Sequence, residues 1–184
     1  MSNASRKTVR IPVPVVLLLL LWPLSGSTAE SCLKRVFDRY CLGGDFNVLV
    51  RQSPPMRQQQ EGEKQAAVYW EGRGETYVLA FRQRIYKVVR EQRPSSQLHF
   101  QDLVELLTQK YGKPQDRSRF PHYADSRAAR IVAIRRGEGR AEQVWNPGQG
   151  WLVELSWTRE LGLALSYVAE QLDAERRRAA QQAL

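Results

Sequence analysis

The chain has 184 residues, with 28 Lys plus Arg against 19 Asp plus Glu for a net +9, 42% hydrophobic residues, 12 Gly, 9 Pro and 2 Cys. An apolar fraction near the globular norm and scarce cysteine exclude a disordered polyelectrolyte, a collagen-like chain, a disulfide-dense mini-protein and a polytopic membrane protein. One domain is expected, long enough to bury a core without metal or disulfide staples.

The first residues carry Arg6, Lys7 and Arg10, then the unbroken apolar run from Val15 to Trp22, then Pro23. That order is the layout of a secretory signal. The run is far shorter than the roughly 20 residues that span a bilayer, so a retained anchor is the lesser reading and no integral span is expected after cleavage. Small residues at Ser27 and Ala29 place cleavage after Ala29, giving a signal over 1–29, a domain over 30–172 and a polar tail over 173–184. Glu30 before Ser31 and Cys32 does not match a lipid-attachment box. Removal of 1–29 takes away three basic side chains and leaves +6 on 155 residues. The mature protein is expected to be periplasmic or secreted.

Export makes a Cys32–Cys41 disulfide a natural expectation. Leu33, Val36, Phe37 and Tyr40 recur at helical spacing, however, and Gly43 and Gly44 end the run, which reads as a short amphipathic helix. In one straight helix the two cysteines would lie about 13.5 Å apart, beyond the roughly 7 Å a bridge tolerates. Pairing therefore requires the segment to fold back, and free or intermolecular thiols remain the alternative. Asp45 is placed to cap a second brief helix carrying Phe46, Val48, Leu49 and Val50, ended by Pro54 and Pro55. The Gln-rich stretch 51–65 has no period and reads as a surface loop.

AAVYW, TYVLAF and RIYKVVR are rich in β-branched and aromatic residues and read as a three-strand antiparallel meander. Leu98, Phe100, Leu103, Leu106, Leu107 and Tyr111 fit a helix with Gly112 as its C-cap and Pro114 beyond. IVAIR, AEQVW, WLVELSW and LALSYVA read as four further strands. In WLVELSW, Trp151, Val153, Leu155 and Trp157 alternate with Leu152, Glu154 and Ser156, and the last two strands form a hairpin. The tail from Asp173 is polar and Ala-rich, a solvated or fraying helix. The expected class is α+β, antiparallel sheet with helices packed on one face, in the order α-α-β-β-β-α-β-β-β-β. No repeat of fixed period is visible, yet a short helix followed by a meander occurs twice in outline.

Chemistry-bearing motifs are scarce. There is no nucleophile elbow, zinc-protease helix motif, phosphate loop or calcium loop, and no cofactor is expected. His99 falls at a helix start, where a cap or surface role suits it. His122, between Pro121 and Tyr123, with Asp125 nearby, carries the alternative reading of a small envelope enzyme acting on glycan or peptide. Asp102 and Glu105 lie one turn apart at a helix start, where they offset its dipole. No metal ligand set is formed by two Cys and two His at these spacings.

Charge is more informative. From Arg117 to Arg140 the chain carries Arg117, Arg119, Arg127, Arg130, Arg135, Arg136 and Arg140 against Asp125 and Glu138, a local +5 that holds most of the mature excess. All seven cations are Arg, whose planar fork pairs with carboxylate or phosphate. Phe120, His122 and Tyr123 lie among them as flat partners. The functional expectation is a face for an acidic envelope protein or an anionic envelope polymer; nucleic acid is not expected, because export removes it. The structural expectation is that these arginines pair with Glu71, Glu75, Glu142 or Glu154 across neighbouring strands. Arg176 to Arg178 would extend the face. Trp145 and Trp151, flanking the 146–150 turn, are candidates for an exposed contact platform.

At CLKRVFDRYCLGGD, ETYVLAFRQRIYKVVR, LLTQKYGKP and VELSWTRELGLALSYV, the chain resembles a group of uncharacterised exported bacterial proteins, a resemblance that implies export and no particular activity. Its outline of a short helix pair feeding a meander also resembles the small lipoproteins of the outer-membrane assembly machinery and related inhibitor-like domains. That likeness implies a non-enzymatic interaction module and transfers no site residue.

Overall fold

The structure, a computed structural model, describes residues 32–72 and 74–182. The expected signal at 1–29 lies outside the described residues. Two short strands, β1 (Lys34–Val36) and β2 (Tyr40–Leu42), form a hairpin. Helix α1 (Phe46–Gln52) follows, then strands β3 (Arg57–Glu61), β4 (Lys64–Glu71), β5 (Gly74–Phe81) and β6 (Arg84–Gln92). The second half contains α2 (Gln97–Tyr111), β7 (Gln115–Asp116), α3 (Arg127–Arg136), β8 (Ala141–Trp145), β9 (Trp151–Thr158), β10 (Gly162–Ala169) and α4 (Glu170–Gln182).

Strands β3 to β10 make one antiparallel sheet in the order β3-β4-β5-β6-β10-β9-β8-β7. The order is symmetric about the β6–β10 pair. Each half has a helix and then four consecutive antiparallel strands, with α3 inserted between β7 and β8 in the second, and the two sets meet through their last strands. The repetition glimpsed in outline is therefore architectural: both halves bury one face of the same sheet. The α+β class follows directly.

Register assigns the faces, since side chains alternate along each strand. One face carries Ala67, Tyr69, Val78, Val88, Val153, Leu155, Trp157, Leu163 and Leu165, all buried in the core. The β1–β2 hairpin and α1 cover its first half. Helices α2 and α3 cover the second, with Phe100 against Trp157 at 6.2 Å between ring centroids and Tyr111 edge-on to Trp151 at 5.9 Å. The opposite face carries Arg57, Val68, Tyr77, Lys87, Glu154 and Glu142. Helix α4 crosses part of it, placing Arg176 over the Tyr86 ring.

Caps explain the helix ends. Asp45 Oδ1 accepts from Val48 N, Ser96 Oγ from His99 N and Ser126 Oγ from Ala129 N. Gly112 ends α2, as its position before Pro114 leads one to expect, and Gly137 ends α3 in the left-handed region at φ 78°.

Several sequence expectations require correction. The segment after Cys32 is a hairpin, not a helix: Phe37 and Asp38 take left-handed φ of 50° and 60° and reverse the chain, so Val36, Tyr40 and Leu42 reach the core from strands. The chain does fold back as pairing requires, and Cys32 and Cys41 are disulfide-bonded with Cα atoms 5.3 Å apart. The expected loop 51–65 contains the end of α1, all of β3 and the start of β4. Its glutamines lack alternation because β3 is an exposed edge strand held by its ladder to β4 rather than by burial. IVAIR belongs to α3, not a strand. Ser126 and Gly137 bracket the helix, and Ala128, Ala129 and Ala133 outweigh the β-branched residues once Ala133 and Ile134 pack inward. β7, two residues long, has no sequence signal. The tail helix begins at Glu170, before Asp173, and is half-buried along its sheet-facing side.

Candidate functional site

Loop 117–126 and helix α3 hold six of the seven arginines of the expected anion-binding face, Arg140 lies just before β8, and every one of them is exposed. They are not coplanar. Arg117 N donates to Glu142 O at 2.9 Å, and Arg119 exchanges two backbone bonds with Arg140 at 2.9 and 2.8 Å. Pairing with β8 at these positions puts the side chains of Arg117, Arg119 and Arg140 on the sheet face opposite the core. Arg127, Arg130, Arg135 and Arg136 ride on α3, which packs on the core side. The seven thus wrap the β7–β8 edge in two groups.

Their surroundings differ. Arg130 is structural: its guanidinium lies 5.3 Å from the Phe120 ring centroid and its Nε donates to Ala124 O. Phe120 in turn fits against Gly139, where any Cβ would come within 2.7 Å of the ring, which is why no larger residue suits that position. At Asp116 partial desolvation would raise the carboxyl, but bonds from Ser118 and Gln143 and the nearby Arg130 charge hold it below the usual range. Arg135 and Arg136 sit in the last turn of α3, where cations offset the negative end of the dipole. Arg127 occupies the first turn, the unfavourable end, and that turn contains no acidic residue.

The expected neutralisation across strands is not seen among the described residues; the one ion pair made by these arginines runs along β8. Arg140 meets Glu142 at 3.0 Å. The other three named carboxylates are engaged elsewhere: Glu71 by Arg39 and Arg90, Glu75 by Arg57, and Glu154 by Lys87. Glu138 accepts from the Tyr123 hydroxyl. Among the described residues, six of the seven arginines make no ion pair. Arg119 and Arg140 stand directly opposite each other, a like-charge pairing, and with Gly137, Glu138 and Glu160 they line a cavity of about 320 Å³. Arg176 and Arg177 both bind Asp173, so this part of the tail is internally paired.

The catalytic alternative gains nothing from the geometry. His122 and Asp125 are both exposed, with no hydrogen bond from the imidazole to a carboxylate among the described residues. His99 Nδ1 lies 2.8 Å from Pro94 O at the start of α2, the local role its position suggests. No group of three or more His, Cys, Asp or Glu placed to hold a metal occurs among the described residues. Trp145 and Trp151 do not form an exposed platform; both are buried, at 0% and 3% exposure, on the core face.

A second polar centre went unnoticed in the sequence. Glu71 accepts from Tyr40 at 2.6 Å, Arg39 at 3.1 Å, Thr76 at 3.2 Å, and Arg90. Arg90 also lies over the Phe37 ring, 3.7 Å from its centroid. Burial would raise the Glu71 carboxyl, but the bonds from Tyr40 and Arg90 hold it below the usual range; burial and the same bond push Tyr40 upward. The arrangement latches the disulfide hairpin to the sheet. Only the β4–β5–β6 ladder together with the β1–β2 hairpin packed on it brings these residues together, so no local pattern could reveal it.

No family model and no curated protein matches this chain. Among solved structures, a cysteine-rich secretory protein from Staphylococcus aureus is similar with a TM-score of 0.40 and 10% identity, over 71% of this chain and 45% of that one. An extracellular protein containing an SCP domain from Bacillus anthracis is similar with a TM-score of 0.40 and 9% identity, over 91% of this chain and 50% of that one. The chain spans about half the length of these two structures. No helix among the described residues is long and apolar enough to cross a membrane.

Proposed function

We propose that the protein is an exported, non-enzymatic interaction module of the cell envelope that takes an acidic protein or anionic polymer around its β7–β8 edge. The observation that carries this reading is the set of six exposed arginines without an ion pair among the described residues, while Glu71, Glu75 and Glu154, three of the carboxylates that could neutralise them, pair with other cations. Unneutralised guanidinium groups retain their bidentate donors for a carboxylate or phosphate from outside. The like-charge Arg119–Arg140 pairing costs stability that a bound anion recovers. Export itself is supported by the layout of residues 1–29 and by the disulfide. A partner long enough to follow an edge touches both arginine groups; a compact anion touches one.

Retention on an immobilised sulfated polyanion in a salt gradient, and co-sedimentation with phosphatidylglycerol vesicles, test the reading. The variants are R117Q/R119Q/R140Q, R127Q/R135Q/R136Q and the two combined. Each triple variant is expected to elute at lower salt and the combined variant to lose retention, with Arg130 left intact to preserve the Phe120 contact. Unchanged elution of the combined variant overturns the proposal.

A further inference from the structure

The two edges of the sheet are built differently. At β7 the ladder lasts two residues, Pro114 precedes it, and Asp116 Oδ1 accepts from Ser118 N at 2.8 Å where the ladder breaks, to resume at the single Arg119–Arg140 bridge. At β3 five residues run in unbroken register with β4, all five are exposed, and no proline, lysine or bulge interrupts them. Edges of this kind are normally blunted, because their outward N–H and C=O groups template another strand.

The outward groups can be identified. Gly62, at φ 56°, and Glu63 form a two-residue turn between Glu61 and Lys64. A turn of that length makes Glu61–Lys64 a hydrogen-bonded closing pair, so alternate residues Arg57, Gln59 and Glu61 direct their backbone groups to β4. Gln58 and Gln60 direct theirs outward. The strand reads Arg-Gln-Gln-Gln-Glu, and read against itself in the antiparallel sense about Gln59 it is self-complementary. Arg57 then faces Glu61 of the other copy, Gln58 faces Gln60, and Gln59 faces itself. In that register Gln58 and Gln60 form the hydrogen-bonded pairs, with four backbone bonds across the two-fold axis. Arg57 and Glu61 fall at non-bonded pairs, where side chains approach most closely. Glutamine amides on neighbouring strands add a side-chain ladder. Arg57, whose side chain is 63% exposed, holds Glu75 with one nitrogen and has donors to spare. Exposed Met56 comes opposite Gly62, beside which nothing lies within 4 Å.

We infer that β3 is a homodimerisation edge: two copies of this chain join β3 to β3, antiparallel about Gln59, to continue the sheet across both. Any one register slip would break the charge match, which is what selects a second copy over an arbitrary strand. The interface is small, so the dimer is a weak one.

Sedimentation velocity from roughly 10 to 500 µM, the range in which small interfaces associate, reads the outcome. The wild type is expected to move from monomer toward dimer across that range, less so in high salt. Glu61→Arg and Arg57→Glu each place like charges opposite one another and are expected to shift the midpoint about 10-fold upward or more. An equimolar mixture of the two is expected to associate again, because each Arg then meets a Glu of the other variant. Gln58→Pro removes an outward donor at a residue whose side chain makes no hydrogen bond among the described residues, and is expected to weaken association with an unchanged circular dichroism melt, which keeps the test independent of any folding defect in Arg57→Glu. A wild type that stays monomeric throughout overturns the inference, as does association that Glu61→Arg leaves unaffected or a mixture that fails to recover; a monomeric wild type would leave β3 to an extended segment of another protein.

Discussion

The two halves of the sheet share one plan and are covered by different means. Over β4 to β6 the cover is a seven-residue helix and a hairpin closed by a disulfide, latched by a carboxylate with four donors. Over β8 to β10 it is a fifteen-residue helix and a ten-residue helix, held by aromatic packing with no cross-link. A short helix cannot bury enough apolar area to pin itself. Covalent closure and a polar hub supply in the first half what side-chain volume supplies in the second.

If that contrast is right, the largest loss comes from the apolar half. Trp157→Ala removes the ring against Phe100 and is expected to lower stability by about 3–5 kcal/mol in urea unfolding. In the first half, Cys32→Ser with Cys41→Ser removes a short closed loop and is expected to cost about 3 kcal/mol. Hydrogen exchange would sharpen the comparison: β1 and β2 should lose protection while β9 and β10 keep theirs. Equal loss in both halves would mean that the hairpin is not an independent cover.

Glu71→Gln is expected to cost about 2 kcal/mol, less than a fully buried pair because the side chain retains 18% exposure. Its pH signature follows from the lowered carboxyl. A folded-state value below the ordinary 4.5 contributes stability above that pH and loses it as pH falls through the folded value. Acid titration of stability below pH 4.5 should therefore be less steep in Glu71→Gln than in the wild type. The smallest effect is expected from Ser126→Ala, which removes the α3 cap and costs about 1 kcal/mol. Since α3 carries four of the arginines, a polyanion affinity that drops with this cap would tie binding to the integrity of that helix.

Local sequence carries the strands with strong alternation and the helix with both caps in place, because β9, β10 and α2 each satisfy their own periodicity and end signals. It misleads where two periodicities overlap. Leu33, Val36, Phe37 and Tyr40 fit a helix by spacing and a hairpin by contact, and the reversal at Phe37 and Asp38 is set by residues far along the chain that receive Tyr40. Ile131, Val132 and Ile134 suggest a strand until Ser126 and Gly137 are read as caps. For the arginine segment, the sequence locates the charge within 24 residues, whereas the division between sheet and helix depends on which strand Arg117, Arg119 and Arg140 join.

By itself, the sequence determined the α+β class, the strongly patterned elements, the position of the positive charge and the availability of two cysteines. Tertiary structure alone decided that the cysteines meet, that Glu71 gathers four donors, that the arginines divide around an edge, and that β3 is left open. The physical reason is range: periodicity and caps act within a turn or a strand, while pairing, burial and charge compensation join residues tens of positions apart.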